Sequence, residues 1–436
     1  MAKPCPRLST EGDRVPSEQA ESLAAVLRAV RSNAAVTQPA LIRHLGLGRG
    51  VVTARIAELE GAGLITQAGV GPSTGGRQPR RLRLRAEAGL IVGVDIGATF
   101  LKVGLADLSG RILDRVMEPA DVALGPDGVL GRVEELVGTL LARSSGGSVW
   151  GVGVGVPGPV EFSTGLPVVP PIMPGWDGYP IRERFARTWN APTWVDNDVN
   201  LMALGELRAN PAAAGVRNLL YVKVGTGIGA GLVSGGRLHR GSEGCAGDIG
   251  HVTVSESEDV TCRCGNTGCL EALAGGAALA AQGRRLAETD RSDELARVLE
   301  QRGRLTAADI ASAAELGDVA AKELLVNAGK LIGSTLATLV SFYNPGWVAL
   351  GGNAISTGDT ILTQIRETVR RRSLPLATRR LRIERSSLGT EAGLSGAVNL
   401  VADELFEPRC LASWVPHSTP SGRPELASFA GLDVAA

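Results

Sequence analysis

Two apolar strands in this chain each run into a glycine- and threonine-rich loop, and each loop runs on into another strand. The first strand, Leu90–Ile96, leads into Asp95-Ile96-Gly97-Ala98-Thr99, with Asp107 closing the hairpin that follows. The second, Leu219–Val224, leads into Gly225-Thr226-Gly227-Ile228-Gly229-Ala230-Gly231. Glycine at such a turn lets backbone N–H groups approach a phosphate, the Thr99 and Thr226 hydroxyls add polar contacts, and Asp95 can hold a magnesium ion. A third strand, Trp347–Leu350, ends in Gly351-Gly352-Asn353, where Gly352 can flank an adenosine. One such loop is a weak signal. Two in one chain, each between strands, point to an α/β body.

Further elements fit an α/β body large enough for two lobes. Trp150–Val156 reads as a buried strand, and helices are expected near Gly128–Ala142, Val199–Ala209, Ala320–Phe342 and Ala392–Leu405. Between the two loops lies Asp196-Asn197-Asp198-Val199-Asn200, at the start of a helix. A carboxylate there, Asp196 or Asp198, either caps the helix or accepts the proton of a hydroxyl that attacks a phosphate.

Cys262-x-Cys264-x4-Cys269, with His251 eleven residues upstream, supplies three thiolates and one imidazole, a closed tetrahedral set for structural zinc. Free thiols are the alternative. Four protein ligands leave no open position, so the metal shapes the site and does not activate water.

The N-terminal segment has a different texture. Residues 1–90 carry 13 Lys/Arg against 7 Asp/Glu, a balance of +6, in a chain whose totals are 45 and 45. A helix beginning at Glu21, a short helix Pro39–Leu45 and a third running to about Glu60 precede a β-hairpin. That is the layout of a winged helix-turn-helix. The third helix offers Arg49, Val51, Thr53 and Arg55 to base edges. The wing holds Arg77, Arg80, Arg81, Arg83 and Arg85, five arginines in nine residues, for the minor groove and phosphates. A protein-interaction module is the alternative. Gly48 and Gly50 make a poor start for the third helix, where Ser or Thr would cap. Domain bounds are expected at 1–18 (disordered), 19–86 (winged head), 87–406 (two-lobed body) and 407–436 (disordered tail). No apolar run of about 18 residues is free of charge, so no membrane span is expected. The N-terminus lacks the apolar core of a signal peptide, which points to the cytoplasm.

The paired loops resemble those of the actin/hexokinase-type ATPase fold, in which two lobes clamp a nucleotide. Taken with the remaining motifs, residues 20–405 resemble the ROK family (repressors, open reading frames and sugar kinases), whose regulator branch carries a winged helix-turn-helix. The most specific parts are Gly250-His251, Cys262-Arg263-Cys264-Gly265-Asn266-Thr267-Gly268-Cys269-Leu270-Glu271, and Asn197-Asp198. The resemblance implies that Asp198 is the catalytic base of a kinase. It also implies that Asn197, Asp198, Asp248, His251 and Glu271 contact sugar hydroxyls beside a turn at Gly158, with His251 using one ring nitrogen for zinc and the other for sugar. Two departures stand out: Asp248 where the family usually has Glu, and Ile172 where it usually has Asn before Met173-Pro174-Gly175-Trp176. Ala98 also replaces a frequent Gly.

The expected function is a DNA-binding regulator, repressor before activator, of carbohydrate genes. It would answer to a sugar or sugar phosphate and bind a double-stranded operator as a homodimer or dimer of dimers. The alternative is an ATP- and magnesium-dependent hexose or amino-sugar kinase with an appended head.

Overall fold

The computed structural model describes residues 17–70, 78–144, 146–255 and 260–429. The stretch expected to be disordered at the N-terminus falls, up to residue 16, outside the described residues. Helix Glu18–Arg31 starts immediately after it, because the Ser17 hydroxyl accepts a hydrogen bond from Ala20 N–H and Leu23, Val26, Leu27 and Val30 form a buried stripe. Helix Gln38–Leu45 is capped by Thr37 and stopped by Gly46, whose φ of 67° costs glycine little. Helix Arg49–Gly61 follows with Gly48 at its N-cap and no side-chain cap bond, as the sequence anticipates. Strands Ile65–Val70 and Arg80–Leu84 pair antiparallel as the wing, and Leu82 N–H donates to Val36 O at 2.7 Å, stitching the wing to the start of the second helix.

The body contains two five-stranded sheets built on one plan. In the first, Ile112–Pro119, Phe100–Asp107 and Leu90–Ile96 run antiparallel, and Val149–Val156 and Thr193–Asn197 add in parallel. In the second, Arg237–His239, Ile228–Ser234 and Leu219–Val224 are antiparallel, and Trp347–Gly351 and Arg382–Arg385 add in parallel. The sequence shows no short-period repeat, so beyond the paired glycine loops this duplication is visible in the topology. In both sheets the central strand is the one that runs into a glycine loop, and parallel central strands are buried on both faces.

Helix Val319–Tyr343 is long and apolar enough to cross a membrane by length and composition alone. It is instead packed into the second lobe. Gly329 and Gly333 bring it against helix Thr360–Arg372, where added Cβ atoms would meet Gln364 and Thr368 at 2.7 Å.

The segment after Glu407 corrects the expectation of a loose tail as far as Phe429; residues 430–436 lie outside the described residues. Helix Pro408–Trp414 has Pro408 in its first turn, and Glu407 accepts from the N–H groups of Arg409 and Cys410. Leu411, Trp414 and Leu426 are fully or almost fully buried. Proline and serine suggest disorder here, but the apolar residues between them are spaced to fill a groove. Trp414 donates to Leu405 O at 2.9 Å and meets the Trp150 ring edge-on at 5.4 Å. One continuous apolar cluster therefore runs from Leu23, Leu27 and Val52 in the head through Trp414 and Leu411 to Trp150, Trp194 and Leu201 in the first lobe. Polar contacts reinforce it. Asp403 is ion-paired with Arg31 of the head at 3.6 Å and accepts from Arg208 of the body at 2.8 Å, and Arg31 lies over the Phe406 ring.

Trp414→Ala should empty a site shared by head and body, at a cost of about 3–5 kcal/mol. Urea unfolding should show the winged head and first lobe losing stability together. A head that kept its own unfolding midpoint would contradict the shared core.

Candidate sugar and phosphate cleft with a zinc knuckle

The two lobes face each other across a cavity of about 1370 Å³, lined by Ala98, Thr99, Gly158, Asn197, Asp198, Lys223, Gly225–Ala230, Asp248, His251, Glu271 and Gly351–Asn353 among others. Its two glycine loops are held from behind. Gly276 N–H donates to Gly225 O and Ala277 N–H to Thr226 O, so helix Gly276–Glu288 begins on the second loop. At Gly352, φ is 95° and an added Cβ would lie 2.4 Å from Val224 O, so only glycine fits where the third strand meets that loop. Of the phosphate-loop candidates, Thr99, Gly225, Thr226, Gly227, Gly229 and Gly352 line the cavity. Gly97 is buried beneath it, packed on Phe100.

Asp95 also lies beneath the cavity. It is fully buried, and neither carboxylate oxygen has a hydrogen-bond partner among the described residues. Burial first, then the neighbouring Asp198, push its carboxyl up to about 7 against the pull of Lys223 and Lys102. Asp95 is the residue that would hold a magnesium ion arriving with a nucleotide, whose chemistry would be to neutralise phosphate charge, but the Lys223 ammonium already acts on the same carboxyl.

The Asp196-Asn197-Asp198 triplet divides its work in a way the residues alone left open. The cap is neither aspartate. Asn197 Oδ1 accepts from Val199 and Asn200 N–H, while its amide donates to Gly158 O at 3.0 Å, holding the turn beside the cavity. Asp196 faces away from the cavity, taking Arg240 at 2.8 Å and Asn200 at 2.9 Å. Arg240 in turn sits 3.5 Å over the Phe162 ring. Asp198 is buried, lines the cavity and accepts an ion-paired hydrogen bond from Lys223. Burial pulls the Lys223 ammonium down, but Asp198 and Asp95 more than offset this and leave it above its ordinary value. Sequence reading missed Lys223, although a lysine inside the apolar strand Leu219–Val224 was the available signal. It also missed Lys102, buried and tied to Thr390 O and Glu391.

The remaining sugar-contact candidates converge on the same wall. Glu271 accepts from Ile228 N–H at 3.0 Å, and Asp248 stands 3.8 Å from His251 Nε2, half-exposed at the cavity. Ile172 also lines the cavity, so an apolar side chain stands there.

His251 Nδ1 faces the cysteines, while Nε2 points toward Asp248. The four ligand atoms of His251, Cys262, Cys264 and Cys269 lie within 4.8 Å of one another. Cys264 Sγ to Cys269 Sγ is 3.8 Å and Cys262 Sγ to His251 Nδ1 is 3.5 Å. A zinc tetrahedron with bonds of about 2.3 Å to sulfur and about 2.0 Å to nitrogen sets these separations near ~3.8 and ~3.5 Å. The donor set fits the ion. Gly268, with φ of 67°, lets the knuckle pass 1.9 Å (to an imagined Cβ) from Ser255 O.

In the head, Arg49, Val51 and Thr53 are exposed on helix Arg49–Gly61, with Arg49 and Thr53 on one face and Val51 turned away from them. Thr53 accepts from Gln38 at 2.5 Å, which brings Gln38 to the same surface, unannounced by the sequence. Arg55 is turned inward to Glu58 and is only half-exposed at most, so it is not presented with the others. Arg80 and Arg81 are exposed on the wing, Arg80 bonded to Gln67. Arg77 lies outside the described residues.

Two measurements test this geometry. Metal analysis of the parent chain should find one equivalent of zinc, and Cys269→Ser should lose it and lower the melting temperature. Asp95 makes a pH prediction: its folded pKa is raised, so it stabilises below its unfolded value near 3.8 and that contribution is lost as pH climbs through about 7. Asp95→Asn should therefore raise the melting temperature most at pH 8 and least at pH 5. Part of the slope should persist, because burial also pushes Glu404 up to about 7.

The family model described as ROK matches residues 91–404, and the model described as winged helix-turn-helix DNA-binding matches residues 23–66. The chain is 29% identical over 387 residues to a xylose repressor of Caldicellulosiruptor bescii, covering 87% of this chain and 95% of that protein. It is 31% identical over 315 residues to a glucokinase of Halalkalibacterium halodurans, covering 72% and 95%. Its fold matches a ROK family transcriptional regulator homologous to the E. coli MLC protein with a TM-score of 0.78 at 23% identity, covering 91% and 99%. The chain belongs to the ROK family, with a winged helix-turn-helix head ahead of the ROK body.

Proposed function

We propose that this protein is a sugar-responsive DNA-binding repressor of carbohydrate genes. The observation that carries the reading is a physical link between two sites. Helix Asp198–Ala209 begins at the cleft with Asn197 and Asp198, and near its other end Arg208 holds Asp403, which also holds Arg31 of the head. A sugar that changes lobe closure acts on the first end of that helix, and the head is fastened near the second. Such a ligand shifts DNA affinity only by its differential affinity for the two arrangements.

The likeness to xylose repressors runs through head and body, whereas the glucokinase likeness has the length of the body alone. The first supports the regulator reading, and the second supports a kinase with an accessory head only weakly. On this reading Arg49 and Thr53 meet base edges, Arg80, Arg81 and Arg77 contact the backbone or minor groove, and a dimer matches a two-fold operator. Asn197, Asp198, Asp248, His251 and Glu271 hold the sugar beside Gly158. Zinc holds the His251 ring in place, and the protein does not depend on catalytic turnover.

Genomic fragments captured by the purified chain should come from near sugar operons, and a sugar from a panel including xylose and glucose should release them. Arg81→Ala should weaken binding to all fragments and lower the salt slope by about one, whereas Arg49→Ala should cost about 1–3 kcal/mol on the preferred fragments and relax their selection. Arg55→Ala should change binding little. Failure to retain any fragment at physiological salt would overturn the proposal.

A further inference from the structure

A phosphate-binding loop asks for glycines and a hydroxyl, not for the lysine that precedes the second one. The duplicated sheets show where that lysine stands. Asp95 lies two residues before Gly97 on the central strand of the first sheet, and Lys223 lies two residues before Gly225 on the central strand of the second. Each pairs across to a glycine of its parallel neighbour, Asp95 with Gly155 and Lys223 with Gly351. The second lobe thus carries a cation at the position where the first carries an anion. The lysine stem runs over the loop itself, since a Cβ at Gly225 would lie 3.1 Å from Lys223 Cε. Its ammonium binds Asp198 Oδ2, and the unpartnered Asp95 carboxylate belongs to the same electrostatic cluster. Of the other buried cations, Lys102 is committed to Thr390 and Glu391, and Arg240 to Asp196.

We propose that Lys223 makes this cleft a receptor and not a phosphotransferase, by pairing with the acid that would otherwise take the hydroxyl proton and by supplying, between Asp198 and Asp95, the positive charge that a divalent cation would bring. A general base needs a carboxylate free to accept the sugar proton, and geometry comes before basicity. The Lys223 ammonium donates to Asp198 Oδ2, so that oxygen is already engaged where the sugar proton would have to be accepted. The same ammonium repels a metal ion approaching the two acids. A cleft that neutralises itself in this way fits an uncharged sugar. The inference rests on the reading of the cleft as the sugar site of a regulator.

The test uses the full zinc-loaded chain, Lys223→Met and Lys223→Gln. Two probes are applied: manganese binding by electron paramagnetic resonance without nucleotide, and ADP release from magnesium-ATP with glucose, xylose or N-acetylglucosamine. The parent chain should release no ADP with any of these sugars, and both variants should bind manganese roughly tenfold or more tightly than the parent, an effect abolished by adding Asp198→Asn. Sugar-dependent ADP release by the parent chain that Asp198→Asn removes would overturn the proposal. Unchanged manganese affinity in the variants would do the same. If the Met variant melts early, the Gln variant, which keeps a hydrogen bond to Asp198, carries the metal measurement, and the parent's ADP result decides without either. DNA capture by the parent chain is scored separately, so a failure of the regulator reading shows there and not in the manganese data.

Discussion

Everything in the body hangs on how closely helix Ala392–Leu405 can approach its neighbours. Added Cβ atoms at Gly205 and Gly396 would lie 2.2 Å from Ala392 O and 1.7 Å from Leu201 O, so this helix and helix Asp198–Ala209 meet backbone to backbone. On its other side, Gly153 of the first sheet leaves only 2.1 Å between an imagined Cβ and Ala397 O. Side chains at these positions would push the helix off the sheet, and dispersion contacts fall steeply with such a gap. The same helix ends in Asp403, Leu405 and the Phe406 turn, where the head is attached. Its start presses Gly393 against Asp95. One glycine-lined contact thus sets the distance between the phosphate loop, the Asn197–Asp198 corner and the DNA-binding head.

Much of this was legible in the residues. The loops at Gly97 and Gly225 follow strands whose bounds, Leu90–Ile96 and Leu219–Val224, match the apolar runs, because parallel central strands bury both faces and read as unbroken hydrophobic segments. The cluster of His251, Cys262, Cys264 and Cys269 was legible because three thiols at knuckle spacing, with a histidine upstream, suit a tetrahedral ion and little else. The head was legible because its caps and turns are local: Ser17, Thr37 and Gly46 act on their own helices.

The parts that were not legible are all non-local. Nothing near Asp196-Asn197-Asp198 in the chain tells which of the three caps, since the answer depends on Arg240 and Lys223, 44 and 25 residues away from Asp196 and Asp198 respectively. The segment after Glu407 has the composition of a loop, and its burial depends on a groove made by helix Glu18–Arg31 and Trp150, both far away in the sequence. The duplication of the two sheets left little residue-level repeat beyond the paired glycine loops, because strand direction and order are most of what was kept.

The apolar cluster that joins head and first lobe also fixes the mechanics of the molecule. With no flexible tether at that junction, the head rides on the first lobe as the tip of a rigid arm. A small rotation between the lobes then becomes a translation of helix Arg49–Gly61 in proportion to its distance from the hinge. In an assembly of two such chains the pair of arms works as a caliper whose opening is set at the cleft. A caliper measures separation, so on the proposed reading a sugar bound in the cleft would alter the gap between half-sites that two such heads span together, while the chemistry of each head against its bases would stay the same.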